Sequence, residues 1–132
     1  MLSAVLDTDV VSFLFKQDTR AALYRPYLID KILVISFMTL AELDRWALER
    51  NWGEKRLHKM EEHLRNFVVH PSDRGLCLKW AEVSHTARRN GCPIQSADAW
   101  IAATAMLHNI PLITHNKNDF AGVAGLTIIS ET

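Results

Sequence analysis

At 132 residues and 48% hydrophobic, the chain carries enough apolar material for one packed core and too little length for two ordinary domains, so residues 1–132 read as one domain. Lys plus Arg and Asp plus Glu number 15 each, so no overall field draws the protein to nucleic acid or to a membrane surface; any such binding has to come from a local patch. Cys77 and Cys92 form no CxxC and adjoin no His cluster, which suits two thiols in a reducing cytosol better than zinc or a disulfide framework. The first apolar run is cut by Asp7 too early for a signal peptide, and no apolar segment approaches the ~20 residues that cross a bilayer, so the expected location is cytoplasmic, with no membrane partner.

Ser3 to Leu6 is a run of small and apolar residues that leads straight into Asp7 and Asp9, which reads as a short buried strand ending in an acidic turn. Ligands of open α/β sheets sit beyond the carboxyl ends of the strands, which puts Asp7 where a substrate or metal binds. Both acids also suit a plainer role as N-caps of the helix expected over Val10 to Phe15. A second helix, capped by Asp18 or Thr19, is expected through Ala21, Leu23 and Tyr24 up to Pro26. Ile32 to Phe37 is continuous and β-branched, as a strand covered on both faces should be.

Thr39-Leu40-Ala41-Glu42 has the S/T-x-x-E form of a capping box, followed by Leu40, Leu43 and Ala47 at helical spacing with Trp46 beside them. Asn51 to Gly53 breaks that helix. Leu57, Met60, Leu64 and Phe67 then mark the core side of another, whose outer face carries Lys55, Arg56 and Lys59 among other charges. Val68 to His70 is a short third strand stopped by Pro71, and Leu76, Trp80, Val83 and Ala87 define a long helix ending at Arg88 to Gly91. Ser96 is placed to cap the next helix, with Asp98 in its first turn and Ile101, Ala102, Ala105 and Met106 on a small-residue face. Leu112 to Thr114 is a fourth strand, followed by the polar loop His115 to Asp119, and Leu126 to Ile129 is a fifth. The alternation of β and α implies a parallel sheet and an α/β fold.

Parallel connections put strand ends and the following helix starts on one edge of the sheet, which collects Asp7, Glu42 and Asp119 there; strands one and four become neighbours if the order reverses between them. Whether Asp98 joins them depends on the course of the loop from Gly91 to Gln95. Each acid has a plainer alternative: Glu42 completes a capping box, Asp98 complements a helix dipole, Asp119 is a loop acid. Carboxylates crowded into one cleft repel one another, and a divalent cation removes the conflict. All-oxygen ligands favour Mg²⁺ or Mn²⁺ over zinc, the equipment of phosphodiester hydrolysis.

Four segments in order, Leu6 to Asp9, Thr39 to Leu43, Ala97 to Ala105 and Thr114 to Phe120, resemble the PIN-domain ribonucleases, in particular the VapC-type toxins of bacterial toxin–antitoxin pairs. The resemblance spans nearly the whole chain. It implies a three-layer α/β/α fold with a five-stranded parallel sheet, Mg²⁺- or Mn²⁺-dependent endoribonuclease activity on RNA, a homodimer, and an antitoxin that blocks the site. It places Asp7, Glu42, Asp98 and Asp119 as the metal-binding, catalytic acids, and matches Thr114 and Asn116 to polar positions that orient water or metal. Asp9 stands where many members carry Asn, so its charge either joins the metal shell or caps the helix. His115 stands where a basic residue is common in the family.

Two other readings compete. Asp7-Thr8-Asp9-Val10 also fits the opening motif of haloacid-dehalogenase-type phosphohydrolases, with Asp7 as nucleophile and Asp9 as acid/base. A catalytically silent interaction domain is the other, with Trp46, Trp52, Trp80 and Trp100 marking an interface instead of core. Arg88 with Arg89, and the Lys55, Arg56, Lys59 group, are candidates for RNA phosphates, against the simpler reading of solvated helix faces.

Overall fold

A computed structural model describes residues 2–132. Five parallel strands form one sheet in the order β3-β2-β1-β4-β5, with β1 at Leu2–Leu6, β2 at Lys31–Ser36, β3 at Val68–His70, β4 at Leu112–Ile113 and β5 at Ile128–Ile129. Six α-helices cover it: α1 (Thr8–Lys16), α2 (Ala21–Tyr24), α3 (Phe37–Glu49), α4 (Glu54–Leu64), α5 (Arg74–Arg89) and α6 (Ser96–His108). Successive side chains of a strand point to opposite faces, so β1 splits between two cores. Ala4 and Leu6 join Val10, Val11, Phe13, Tyr24, Leu43, Met60 and Leu64 from α1 to α4. Val5 joins Leu76, Val83, Ile101 and Ala105 from α5 and α6. These are the three layers the resemblance implies, and the all-parallel sheet follows the β/α alternation.

The chain runs outward from β1 through β2 to β3, then crosses back to β4 on the other side of β1. The order therefore reverses between β1 and β4, and a crevice opens at their carboxyl ends. The register is held there by Leu6 opposite Ile113, and by the Asp7 amide donating to the Ile113 carbonyl at 2.9 Å.

Several boundaries differ from the sequence reading. β2 stops at Ser36, because the Ser36 hydroxyl accepts from the Met38 amide and starts α3 at Phe37; Thr39 is not the cap, and the expected capping box does not form. The cap position of α6 is Gln95, with no side-chain cap, and Ser96 is already helical. Asp18 does not sit at the cap position of α2; its carboxylate accepts from the Arg20 amide and guanidinium. Leu57 is 43% exposed, since the core side of α4 is carried by Met60 and Leu64. β5 shrinks to two residues, matching the length of β4, with which it pairs.

The four tryptophans are half-buried against the two cores, Trp46 and Trp52 on one and Trp80 and Trp100 on the other. No helix among the described residues is long and apolar enough to cross a membrane.

Candidate active site

Asp7 ends β1 and caps α1, with its carboxylate accepting from the Thr8 amide at 2.8 Å and from the Thr114 hydroxyl at 2.7 Å. The capping role and the strand-end role thus fall on one residue. Thr114, directly after β4, is fully buried, and its hydroxyl also accepts from the Asn116 amide at 3.0 Å. One hydroxyl therefore ties Asp7 to the loop that carries Asp119.

Asp9, two residues after Asp7, reaches across to the same loop. One carboxylate oxygen accepts from the His115 amide at 3.0 Å and from Asn116 Nδ2 at 2.8 Å, while the other takes the Val10 amide at 2.7 Å. Asp9 is bound on both oxygens, and its charge holds the 115–116 turn as well as the first turn of α1. His115 turns inward between Phe13 and Tyr24, both edge-on at 5.4 and 5.6 Å, with Nδ1 against the Tyr24 hydroxyl.

Glu42 projects from α3 toward Thr8, whose hydroxyl donates to it at 2.8 Å. Because the single Thr8 proton goes to Glu42, the buried Thr39 hydroxyl donates to Thr8 in turn, at 2.9 Å. Thr39 and Glu42 are linked, as their spacing suggested, but through Thr8 instead of through helix amides. Thr8 is the residue sequence reasoning missed; its signal was its place between two acids, at the helix start that follows a strand end.

Asp98 sits in the first turn of α6, and the loop before it does run to the acidic edge. Gly122 explains why: a Cβ there would collide with the carbonyl oxygen of Cys92, so only glycine lets the turn after α5 lie against the segment after Asp119. Asn90 Nδ2 donates to the Gly122 carbonyl across the same contact at 3.4 Å. The result is a pocket of 240 Å³ lined by Pro93, Gln95, Asp98, Asn118 and Asp119, with Asp119 on the short 3₁₀ turn Lys117–Phe120.

The electrostatics record the crowding. Burial pushes the Asp7 carboxyl up to about 8, with the Asp9 charge adding to it and the Thr114 and Thr8 hydrogen bonds opposing it. Asp9 is also raised, chiefly by burial. Asp98 is pushed to about 6 by burial first and then by the charges of Asp119, Glu42 and Asp9. Among the described residues none of these five acids forms an ion pair with Lys, Arg or His. An all-oxygen set with unbalanced negative charge suits a hard divalent cation in both donor type and sign. Its geometry is open: among the described residues no three His, Cys, Asp or Glu side chains are already gathered on one point as a finished metal site.

Comparison with known proteins agrees with the fold. The family model described as PIN domain matches residues 4–126. Ribonuclease VapC1 of Haemophilus influenzae strain R2866 is 31% identical over 125 residues, covering 92% of each chain. The structure of VapBC-1 from nontypeable Haemophilus influenzae superposes with a TM-score of 0.83 at 28% identity, covering 98% of each chain. VapBC-5 of Mycobacterium tuberculosis, a member of the VapBC family of toxin-antitoxin systems, does so with a TM-score of 0.70 at 25% identity, again over 98% of each chain. The haloacid-dehalogenase reading falls away with this match, and Asp9, bound on both oxygens, is no free acid/base. A parallel sheet that reverses at β1 and β4, an acidic edge at that reversal and a family match across 4–126 lead to one assignment: the chain belongs to the PIN-domain family.

Proposed function

We propose that the protein is a divalent-metal-dependent endoribonuclease that hydrolyses RNA phosphodiesters as the toxin of a toxin–antitoxin pair, with Mg²⁺ or Mn²⁺ as cofactor. The observation that carries this reading is the Asp7 carboxyl, 6% exposed, raised to about 8 and, among the described residues, in no ion pair, at the point where the sheet order reverses. Holding a buried acid that far from its ordinary range costs stability, and a site for a cation gives a reason for keeping it. The relatives named as ribonuclease and as toxin–antitoxin complexes support the activity, the setting and a protein antitoxin as partner.

In this reading Asp7, Glu42, Asp98 and Asp119 hold the cation. When bound, it supplies Lewis-acid polarisation of a phosphoryl oxygen and an acidified water. The chain's own work is positioning. Thr114 fixes the Asp7 carboxylate, Thr8 aims Glu42, and Asp9 with Asn116 fixes the loop leading to Asp119. Residues 1–132 act as one PIN domain, in the cytoplasm, as a homodimer. The unmatched acids favour catalysis over the silent interaction domain, whose marker tryptophans lie against the cores.

The test is cleavage of RNA by the purified protein with Mg²⁺ or Mn²⁺, against EDTA and against Asp7→Asn. Cleavage that needs the metal and disappears in Asp7→Asn supports the proposal. An Asp7→Asn variant as active as the wild type at matched metal concentration overturns it.

A further inference from the structure

A wide concavity lies away from the acids. It is a groove of 920 Å³ between the end of α1 and the outer side of α4, with Phe15, Lys16, Lys55, Arg56, Lys59 and Glu62 in its lining. Its charge is lopsided. Among the described residues neither Lys16, Lys55, Arg56, Lys59 nor the nearby Arg50 is ion-paired, and the single acid in the lining, Glu62, is already taken by His58 and Arg65 at 3.6 Å each. Lys16 is held below its ordinary range by burial and then by the charges of Arg50 and Arg56. In a chain of zero net charge, such a patch of unmatched cations is a local feature with a local cause.

One lining residue, Phe15, stacks with Trp52 beside the groove, and Arg56 of the lining covers the pair. Phe15 and Trp52 stack at 5.6 Å with planes 28° apart, and the Arg56 guanidinium lies over both rings, at 5.2 and 4.5 Å. Cations that track a phosphate backbone, beside a planar guanidinium held flat on aromatic rings, as Arg56 is, and on which bases can stack, are the two components of sequence-tolerant single-strand binding. Lys16 is one nine-residue helix from Asp7, about 13 Å along α1, so a strand in the groove lies a few nucleotides from the acidic edge.

We propose that this α1–α4 groove is a docking site for single-stranded RNA, holding substrate outside the catalytic edge. The proposal rests on the ribonuclease reading for its purpose, but its test does not use cleavage. Binding of a labelled single-stranded RNA of roughly 16 nucleotides, the upper end of site sizes for such grooves, is measured on the whole protein in EDTA across a salt series. For the double variant Lys55→Gln/Lys59→Gln, both sites being exposed, binding at low salt falls about tenfold and the slope of log affinity against log salt shrinks by about 1.4, the value for two phosphate contacts on a single strand. Arg56→Lys keeps the slope and still weakens binding, because charge remains and stacking is lost. Arg88→Gln/Arg89→Gln on α5, equal in charge removed, leaves both quantities near wild type.

Equal losses from the α5 pair mean diffuse attraction and overturn the proposal, as does a wild type that binds no RNA. If the Lys55/Lys59 variant binds RNA normally but loses affinity for polyglutamate, the groove takes an acidic protein segment and the proposal is again overturned. Failure of the ribonuclease reading shows separately, as absence of metal-dependent cleavage in a protein that still binds RNA through the groove.

Discussion

The two halves of the acidic edge are built by opposite means. On the β1 side, Asp7, Asp9 and Glu42 are wired into place by Thr8, Thr39, Thr114 and the 115–116 turn, with hydrogen bonds of 2.7 to 3.0 Å. On the α6 side, Asp98 and Asp119 line an open pocket, and Asp98 feels burial and neighbouring charge with, among the described residues, no hydrogen bond to offset them. The wired half fixes geometry before any ligand arrives, as preorganised sites must. The open half is held by backbone packing at Gly122 and leaves its carboxylates room to move toward a ligand.

The largest effect should come from the centre of the wired half. Asp7→Asn is expected to lower metal-dependent cleavage about 10³-fold, the scale of removing a group that stabilises developing charge, while the fold persists because Asn keeps an acceptor for the Thr8 amide. Circular dichroism alongside the cleavage assay separates the two outcomes. In the open half, Gly122→Ala forces Cys92 away from the 120–123 segment. Overpacking of this kind costs about 1 to 3 kcal/mol, and a shift of about 1 Å at Asp98 would lower the rate roughly 10²-fold. If Gly122→Ala unfolds at the wild-type temperature and cleaves at the wild-type rate, glycine is not what locates the open half.

Thr114→Val tests the wiring itself. The isostere removes the donor to Asp7 and the acceptor for the Asn116 amide, both buried or half-enclosed. Unsatisfied groups of this type cost about 1 to 3 kcal/mol, and losing a group that orients a metal ligand costs about 10- to 100-fold in affinity or rate. Thr114→Ser, which keeps the hydroxyl, should recover most of the activity; denaturant melts and cleavage rates on the pair read both quantities.

What could be read from the sequence follows the same division. The β/α alternation and the acids after strands one and four were plain, because strand ends and helix starts of a parallel sheet must share an edge. Glu42 was found, but tied to Thr39 through an expected capping box, since nothing in the sequence showed that Ser36 would start α3 three residues early. The wiring through Thr8 depends on which way one hydroxyl turns between α1 and α3, which are distant in the chain. The place of Asp98 depended on Gly122, whose role is a close backbone approach to Cys92 that leaves no mark on the local pattern. Short-range signals give elements and edges; contacts across the chain decide how the edge is held.

Stability as a function of pH leaves the catalytic rate aside, and it runs opposite to that of ordinary paired carboxylates. The folded-state value of Asp7, about 8, lies above its ordinary 3.8, so its contribution to stability is complete below about pH 4 and is lost as the pH climbs toward 8. Asp98, at about 6, loses its share between pH 4 and 6. In EDTA the melting temperature should therefore fall as pH rises from 4 to 8, and Asp7→Asn should flatten the stretch above pH 6 while leaving the Asp98 part intact. Mg²⁺ added at pH 8 should restore stability, by about 2.7 kcal/mol at a hundredfold excess over its dissociation constant, or several degrees for a chain of this size. At pH 5 the same addition should do less, because protons then hold the carboxylates the cation needs. A flat profile in EDTA, or equal stabilisation by Mg²⁺ at pH 5 and 8, would mean that the two halves do not share one unbalanced charge.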